Sequence, residues 1–522
     1  MSSEKYVLAF DAGTSSVKAV LINNYGTVLS HCIKTYPCNS PRPGWLEQDP
    51  EDYWQAIIRS TRQLLNDSGI IANNISGIVF TTQAMGIIPL DIEGNVLRPN
   101  ITWVDGRAEQ EALWFMKRFL GKRIFKALIG IEVTGKDVLP KLLWLRKKEP
   151  EIYKKTDKVL DVNGFLKFRA TGEKVFEWSG ASSYTFDLRK KDWTRWLFRM
   201  IGFNLDKLPR LVRSTDLVGG LTKKASVELG LPAGTPVFGG CDDTQSAAIG
   251  SGASENNDAH IYLGTSAWVG VTTSRNVRFK NGAVCLQSAD PEKNIAVGIT
   301  ESAGSNIDWI IENFYSREKN DLTIPDVYAL ANEEASAVSP GAEDLMMTPW
   351  LFGERCPVGT TTTRGTMFNL GHHHNRSHIM RAMSEGIAYN LRWIIENFET
   401  DYGFRIPKLR IVGGGTRSDS WMQIIADITN RKIETTSNPK LAGSIGAAMC
   451  AFIGLGILNG FDEVKKIVKP VKVFIPNPEN AGKYSHYFNL YKGIYRKNKN
   501  LYQQINSTLT FKKNLPVFAL NP

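Results

Sequence analysis

Cysteine is scarce in this chain. Six occur in 522 residues, at positions 32, 38, 241, 285, 356 and 450, with no Cys-x-x-Cys and no close clustering. That excludes a disulfide framework or zinc finger and points to a reducing compartment, the cytoplasm. A leader is also missing. Met1-Ser2-Ser3-Glu4-Lys5 sets no basic stretch before a long apolar run, and the first apolar run stops at Asp11, so a strand is expected there and no secretion signal. No Walker A sequence occurs, and Gly-x-Gly-x-x-Gly is not completed after Gly413 because Ser418 takes its last place; P-loop and Rossmann readings lose ground. The net charge is +11, but the basic residues come in short clusters interleaved with acids. There is no RNP-like aromatic motif, helix-turn-helix signature or basic tail of the usual length, so nucleic acid is not an expected partner. A solvated basic surface mildly attractive to an anionic nucleotide is. Long uncharged runs are absent except over residues 441–461, which hold five glycines. That composition, with no partner span, predicts a buried, close-packed helix beginning near Gly443 and no membrane segment.

What the chain has is a duplication. Asp11-Ala12-Gly13-Thr14-Ser15-Ser16 and Leu263-Gly264-Thr265-Ser266-Ala267 lie about half the chain length apart, and a chain this long divides into two to four units. Each loop joins two apolar runs that read as strands: residues 6–10 and 17–22, then 261–263 and 268–271. Small hydroxyl residues and glycine at a hairpin tip let backbone N–H groups and hydroxyls converge on phosphate oxygens. Asp11, at a strand end, is placed to orient Mg2+ through water. Two ordinary turns are the alternative.

Between the loops, 51–66 reads as a helix, and 75–82 as a buried strand delivering Gln83-Ala84-Met85-Gly86 to a loop. The composition turns small and polar near 251–257, where the lobe boundary is set: 1–254 and 255–522, with a C-terminal extension from about 462 packed on the second lobe. In the second half 377–398 reads as a long helix. Residues 409–412 form a strand feeding Gly413-Gly414-Gly415, where a flat ligand or phosphate can approach closely, and 420–429 resumes helical spacing.

Val237-Phe238-Gly239-Gly240-Cys241-Asp242-Asp243 is an apolar strand ending in glycines and two carboxylates. Phosphoryl transfer to an alcohol needs a carboxylate to take the hydroxyl proton, and Asp242 is the chosen base. An N-cap pair is the alternative.

These segments, with Gly44-Trp45-Leu46-Glu47-Gln48-Asp49-Pro50, Trp103-Val104-Asp105-Gly106-Arg107 and Lys141-Leu142-Leu143-Trp144, stand in the order found in the FGGY carbohydrate kinases. The chain resembles that family over roughly residues 6–455, and within it the xylulokinases most. The resemblance implies an α/β fold of the actin/hexokinase/Hsp70 type: two ribonuclease-H-like lobes with a cleft between them, the first lobe binding sugar and both gripping ATP. It implies ATP and Mg2+ as the cofactors and D-xylulose, converted to its 5-phosphate, as the preferred acceptor. Asp242 becomes the base. Gln83, Met85, Trp103, Asp242 and Asp243 become sugar-binding, Asp11 and Asp242 metal-associated. Gly13, Thr14, Ser15, Gly264, Thr265 and Ser266 hold phosphate, and Gly413, Gly414, Gly415 and Gly443 border the adenosine. A homodimer is left open.

The chain departs from the xylulokinase pattern at three places. Met85 stands where histidine is usual, Asp243 where asparagine is usual, and Asn369 where glycine is usual. The first two keep other ketoses and polyols open as acceptors: ribulose, glycerol, erythritol. From another class, a non-catalytic actin-like or Hsp70-like nucleotide switch shares the two loops, but the Asp242 stretch and the Gln83 loop argue for a small acceptor. His372-His373-His374 with His378 suggests zinc, yet three adjacent side chains cannot all face one ion on a helix, and a solvated loop is expected.

Overall fold

The architecture follows from a computed structural model that describes residues 4–118, 133–280, 282–360 and 362–506. Two sheets dominate. The first holds β1 (Tyr6–Ala12), β2 (Ser16–Asn23), β3 (Val28–Thr35), β4 (Ile75–Thr82), β5 (Leu217–Gly220) and β6 (Pro236–Asp242), in the order β5-β6-β4-β1-β2-β3. The second holds β7 (Ala259–Leu263), β8 (Ala267–Thr273), β9 (Val284–Gln287), β10 (Asn294–Ile299), β11 (Lys408–Val412), β12 (Lys432–Thr436) and β13 (Pro470–Phe474), in the order β9-β10-β8-β7-β11-β12-β13. Both repeat one plan: an antiparallel hairpin, β1–β2 or β7–β8, whose first strand runs parallel to two later strands. The central strands of each sheet are buried over nearly their whole length, as strands covered on both faces must be.

Helices cover the sheets. α1 (Pro50–Ser68) has Asp49 as N-cap and Gly69 as left-handed C-cap, a sequence-legible start and stop. α2 (Val162–Thr171), α3 (Trp178–Tyr184) and α4 (Asp243–Ser251) complete the first half; α5 (Arg376–Tyr402), α6 (Asp419–Thr429), α7 (Ala442–Gly454) and α8 (Pro478–Asn506) belong to the second. The long helix predicted over 377–398 runs one turn further, to the left-handed Gly403.

α7 is the uncharged, glycine-rich segment. It is buried from Ala442 to Phe452, and its side chains join the first sheet's core, packing with Val7, Ala9, Val79 and Phe238. It crosses α4 so closely that a Cβ on Gly250 would lie 1.8 Å from Ala442 O, and one on Gly446 would lie 1.9 Å from Ser246 O. Glycine at this crossing is therefore required by backbone contact. Among the described residues no helix is long and apolar enough to cross a membrane.

The C-terminal region is more than an appendage. β13 adds the seventh strand to the second sheet, and α8 buries Tyr484, Tyr487, Phe488 and Tyr491 against the second lobe's core. Asn369, the departure from glycine, sits at φ 65° and donates from Nδ2 to Asp344 O at 3.2 Å. Asparagine tolerates the left-handed region better than other non-glycine residues, which accounts for its presence there. Of the histidines, His374 accepts the Gly371 N–H at 2.8 Å and His378 completes the capping box of α5 with Asn375.

Candidate active site

Strand register builds the site. Asp11 pairs with Thr81 and Ala12 with Thr82 across β1 and β4, while Asp242 pairs with Thr82 across β4 and β6. The Gly13–Ser15 loop, Gln83 and Asp242 therefore emerge side by side at the C-terminal edge of three parallel strands, where open α/β sheets place ligands.

Asp242 occupies the N-cap position of α4 without using its side chain to cap it. The N-cap position is thus the one the alternative reading expects, but the carboxylate makes no capping hydrogen bond there. Its Oδ1 is buried and meets no hydrogen-bond donor. Desolvation, then the nearby charges of Asp161, Asp243 and Glu177, push its pKa well above the usual carboxylate range, against the opposing pull of Lys167. Burial and Asp11 raise Asp243 to about 6. Raised carboxylates in a cleft suit proton acceptance from an alcohol.

Asp11 faces Lys18 at 3.5 Å. Lys18 is held protonated by Asp11 first and by Tyr262 and Asp243 beyond it. A Cβ on Gly443 would come within 2.6 Å of Asp11 Oδ2, so Gly443 lies at the carboxylate end of the cleft, where the start of α7 meets β1. Among the described residues no group of three or more histidine, cysteine or acidic side chains converges tightly enough to hold a metal ion by itself.

Gln83, Gln48, Tyr53 and Asn100 form a network. Gln83 Nε2 donates to Gln48 Oε1 at 2.9 Å and to the Tyr53 hydroxyl at 3.2 Å, leaving Gln83 Oε1 buried and unpartnered. Tyr53 donates to Gln48 Oε1 at 2.7 Å and accepts from Asn100 Nδ2 at 2.9 Å. Trp103 Nε1 donates to Thr14 Oγ1 at 3.0 Å, and Gln48 Nε2 to Thr14 O at 2.6 Å, which ties the Gln83 network to the Gly13–Ser15 loop. Met85 takes a left-handed φ of 61° and, like Trp45 and Trp178, packs against the buried cluster that includes Ile87 and Tyr184. Asp105 is structural: its carboxylate accepts the Leu46 N–H at 2.6 Å and pairs with Arg107 at 2.7 Å, beneath the Trp45 ring.

In the second lobe Gly264, Thr265 and Ser266 form the hairpin tip. The following segment docks on it, with the Ala303 and Gly304 N–H groups donating to Thr265 O and Gly264 O, each at 2.9 Å. Gly413 stands beside it: a Cβ there would meet Leu263 O at 2.5 Å, and one on Gly415 the Leu263 side chain at 2.6 Å. Gly414 has open space around it. Gly264–Ser266 and Gly413–Gly415 thus share one edge of the second sheet.

Gln48, Tyr53, Lys18, Glu177 and Ser179 were not singled out as site residues from sequence. Gln48 lies inside a recognisable motif, but two of its partners, Thr14 and Gln83, are distant in the chain. Nothing local marks the others.

Residues 6–250 match the family model described as the N-terminal domain of the FGGY family of carbohydrate kinases, and 259–455 match that of its C-terminal domain. The chain is 32% identical over 513 residues to a xylulose kinase of Bacillus subtilis (strain 168), covering 98% of this chain and 100% of that one. It is 26% identical over 503 residues to a gluconokinase of the same organism, covering 96% and 97%. The crystal structure of a xylulose kinase from Rhodospirillum rubrum superposes with a TM-score of 0.85 at 26% identity, covering 96% of this chain and 100% of that one.

Proposed function

The chain belongs to the FGGY family of carbohydrate kinases and is an ATP-dependent phosphotransferase; from that premise, we propose that its acceptor is D-xylulose, phosphorylated at the C5 hydroxyl. The observation that carries the acceptor class is the pair of buried, unpartnered acceptor atoms, Gln83 Oε1 and Asp242 Oδ1, at neighbouring strand ends. Leaving such atoms unpaired costs about 1–3 kcal/mol each, and the hydroxyls of a neutral sugar supply the donors they lack.

Asp242 accepts the proton as the hydroxyl attacks the γ-phosphoryl group. Gly13, Thr14 and Ser15 from one lobe and Gly264, Thr265 and Ser266 from the other cradle the phosphates with backbone N–H groups and hydroxyls. Gly413–Gly415 border the nucleoside. Lys18 keeps a fixed positive charge beside the phosphates, since charge neutralisation and positioning are most of phosphoryl-transfer catalysis. Asp11 and Asp243 leave more negative charge at the strand ends than Lys18 offsets, which suits Mg2+ entering with the nucleotide and held largely by phosphate oxygens and water. When bound, Mg2+ supplies charge neutralisation between the β- and γ-phosphates.

The test is ADP release by the wild-type protein against D-xylulose, L-xylulose, D-ribulose, L-ribulose, glycerol, erythritol and D-gluconate. D-Xylulose should give the highest kcat/KM. Activity confined to another acceptor would overturn the xylulose assignment.

A further inference from the structure

The end of β6 is not held by its sheet alone. β5 pairs with β6 only through Phe238, and the β6–β4 ladder shifts register between Phe238 and Cys241, across Gly239 and Gly240. The strand end that presents Asp242 thus has the irregular 214–216 segment on one side, where the Gly239 and Gly240 N–H groups donate to Asp216 O at 2.9 Å and Ser214 O at 2.8 Å, and a break in the ladder on the other. Side chains from α2 and α3 fill the gap. Lys167 Nζ donates to Gly239 O at 3.0 Å, and Asn163 Nδ2 donates to Cys241 O at 3.1 Å. The backbone N–H of Asp242 donates to Ser179 Oγ at 2.9 Å.

The Ser179 hydroxyl is itself oriented. It donates to Glu177 Oε2, which also accepts the Ser179 N–H at 2.8 Å and the Gly180 N–H at 3.3 Å. With its hydrogen committed to Glu177, the hydroxyl can only offer a lone pair to Asp242. α3 packs tightly enough to transmit this. A Cβ on Gly180 would lie 2.9 Å from Asp161 Oδ2 and 3.3 Å from Asp242 Oδ1. At the other end of α3, the Tyr184 hydroxyl donates to Gly86 O in the Gln83 loop.

We propose that Glu177 and Ser179 are positioning residues for the base: Glu177 orients the Ser179 hydroxyl, which fixes the Asp242 backbone so that its free carboxylate oxygen faces the acceptor. The inference rests on the reading of Asp242 as the base. It assigns a role in turnover to an acid and a serine buried behind the strand end. Misplacement of a reacting group by a fraction of an ångström lowers rate without weakening ligand binding.

The experiment compares wild type, Asp242→Asn, Ser179→Ala, Ser179→Cys, Glu177→Ala and Glu177→Gln, with melting curves and ATP affinity as controls for folding. Ser179→Ala and Glu177→Ala should lower kcat about tenfold, the value of one hydrogen bond, with KM for ATP and sugar changed less than about twofold. Glu177→Gln keeps an acceptor oxygen and should recover most of kcat. Ser179→Cys, a weak acceptor, should fall between alanine and serine, and carries the test should the alanine variants not fold. A folded Ser179→Ala or Ser179→Cys protein with wild-type kcat, or a loss expressed in ATP KM instead of kcat, overturns the proposal. Failure of the underlying reading looks different: it is Asp242→Asn turning over at the wild-type rate on whichever acceptor the wild type prefers.

Discussion

At the residue scale the site holds two acceptor oxygens, one of a carboxylate and one of an amide, without a partner. Asp242 does not cap its helix and Gln83 spends only its amide nitrogen, so each holds an acceptor atom in reserve. Asp242→Asn should cut kcat about 10²- to 10⁴-fold, because the amide cannot take the proton, while ATP affinity measured by calorimetry stays near wild type. Because burial and three neighbouring acids raise Asp242, turnover should rise with pH through a limb above the usual carboxylate range. Met85→His tests the pocket wall. On D-xylulose it should raise kcat/KM if the imidazole finds a sugar hydroxyl, and a loss of about tenfold would show that Met85 shapes the pocket by bulk. His260 offers a test free of catalysis. Its Nε2 accepts from Trp268 Nε1 at 3.1 Å, and burial depresses its pKa to about 3. A depressed histidine contributes its stability above its unfolded pKa of about 6.5 and loses it as pH falls towards the folded value. Between about pH 7.5 and about pH 5 this group alone should cost about 2 kcal/mol, read as the extra fall in urea midpoint of wild type compared with His260→Gln.

At the scale of elements, the crossing of α4 and α7 is the joint on which both halves depend. Gly250→Ala or Gly446→Ala would force a methyl into backbone, and overpacking of this kind costs about 1–3 kcal/mol, visible as a lower melting temperature. The paired hairpins, α1, α5 and α7 were all legible in the sequence, because local signals specify them: apolar alternation broken by Gly-Thr-Ser, Asp49 before the helix and Gly69 after it, a glycine-rich run without charge. The strand-end position of Asp242 was legible for the same reason. The hydrogen bonds that make the site were not. Gln83 meets Gln48 and Tyr53, and Asp242 meets Ser179, only once β4 and β6 lie beside each other and α3 packs over their ends. No spacing in the chain encodes those meetings. The tail after residue 462 carried a local signal that was left unread: Val471, Val473 and Phe474 favour a strand, and Tyr484, Tyr487, Phe488 and Tyr491 recur at helical spacing.

At the scale of the whole molecule, the two Gly-Thr-Ser loops proposed to cradle phosphate lie on two sheets, and they can hold one triphosphate only if the lobes approach. Gln287 joins them in this structure. Its N–H donates to Ser182 Oγ of α3 at 2.9 Å, its carbonyl accepts from Gln245 Nε2 of α4 at 3.0 Å, and its Oε1 accepts from Lys191 Nζ at 2.5 Å. Small-angle scattering should show the wild type contracting with sugar and a non-hydrolysable ATP analogue. Gln287→Ala should contract less at the same ligand concentrations, since the side-chain contact that favours the joined arrangement is gone. Equal contraction in the two proteins would remove Gln287 from closure.

The central claim, a ketopentose kinase with Asp242 as base, meets its most direct test in one coupled assay of ADP release with D-xylulose and ATP, run on wild type and Asp242→Asn side by side. The account predicts saturable turnover by the wild type, higher in kcat/KM than with D-gluconate, and a variant that binds ATP but turns over at least about a hundredfold more slowly. A wild type that ignores every ketopentose, or a variant that keeps pace with it, would contradict the account.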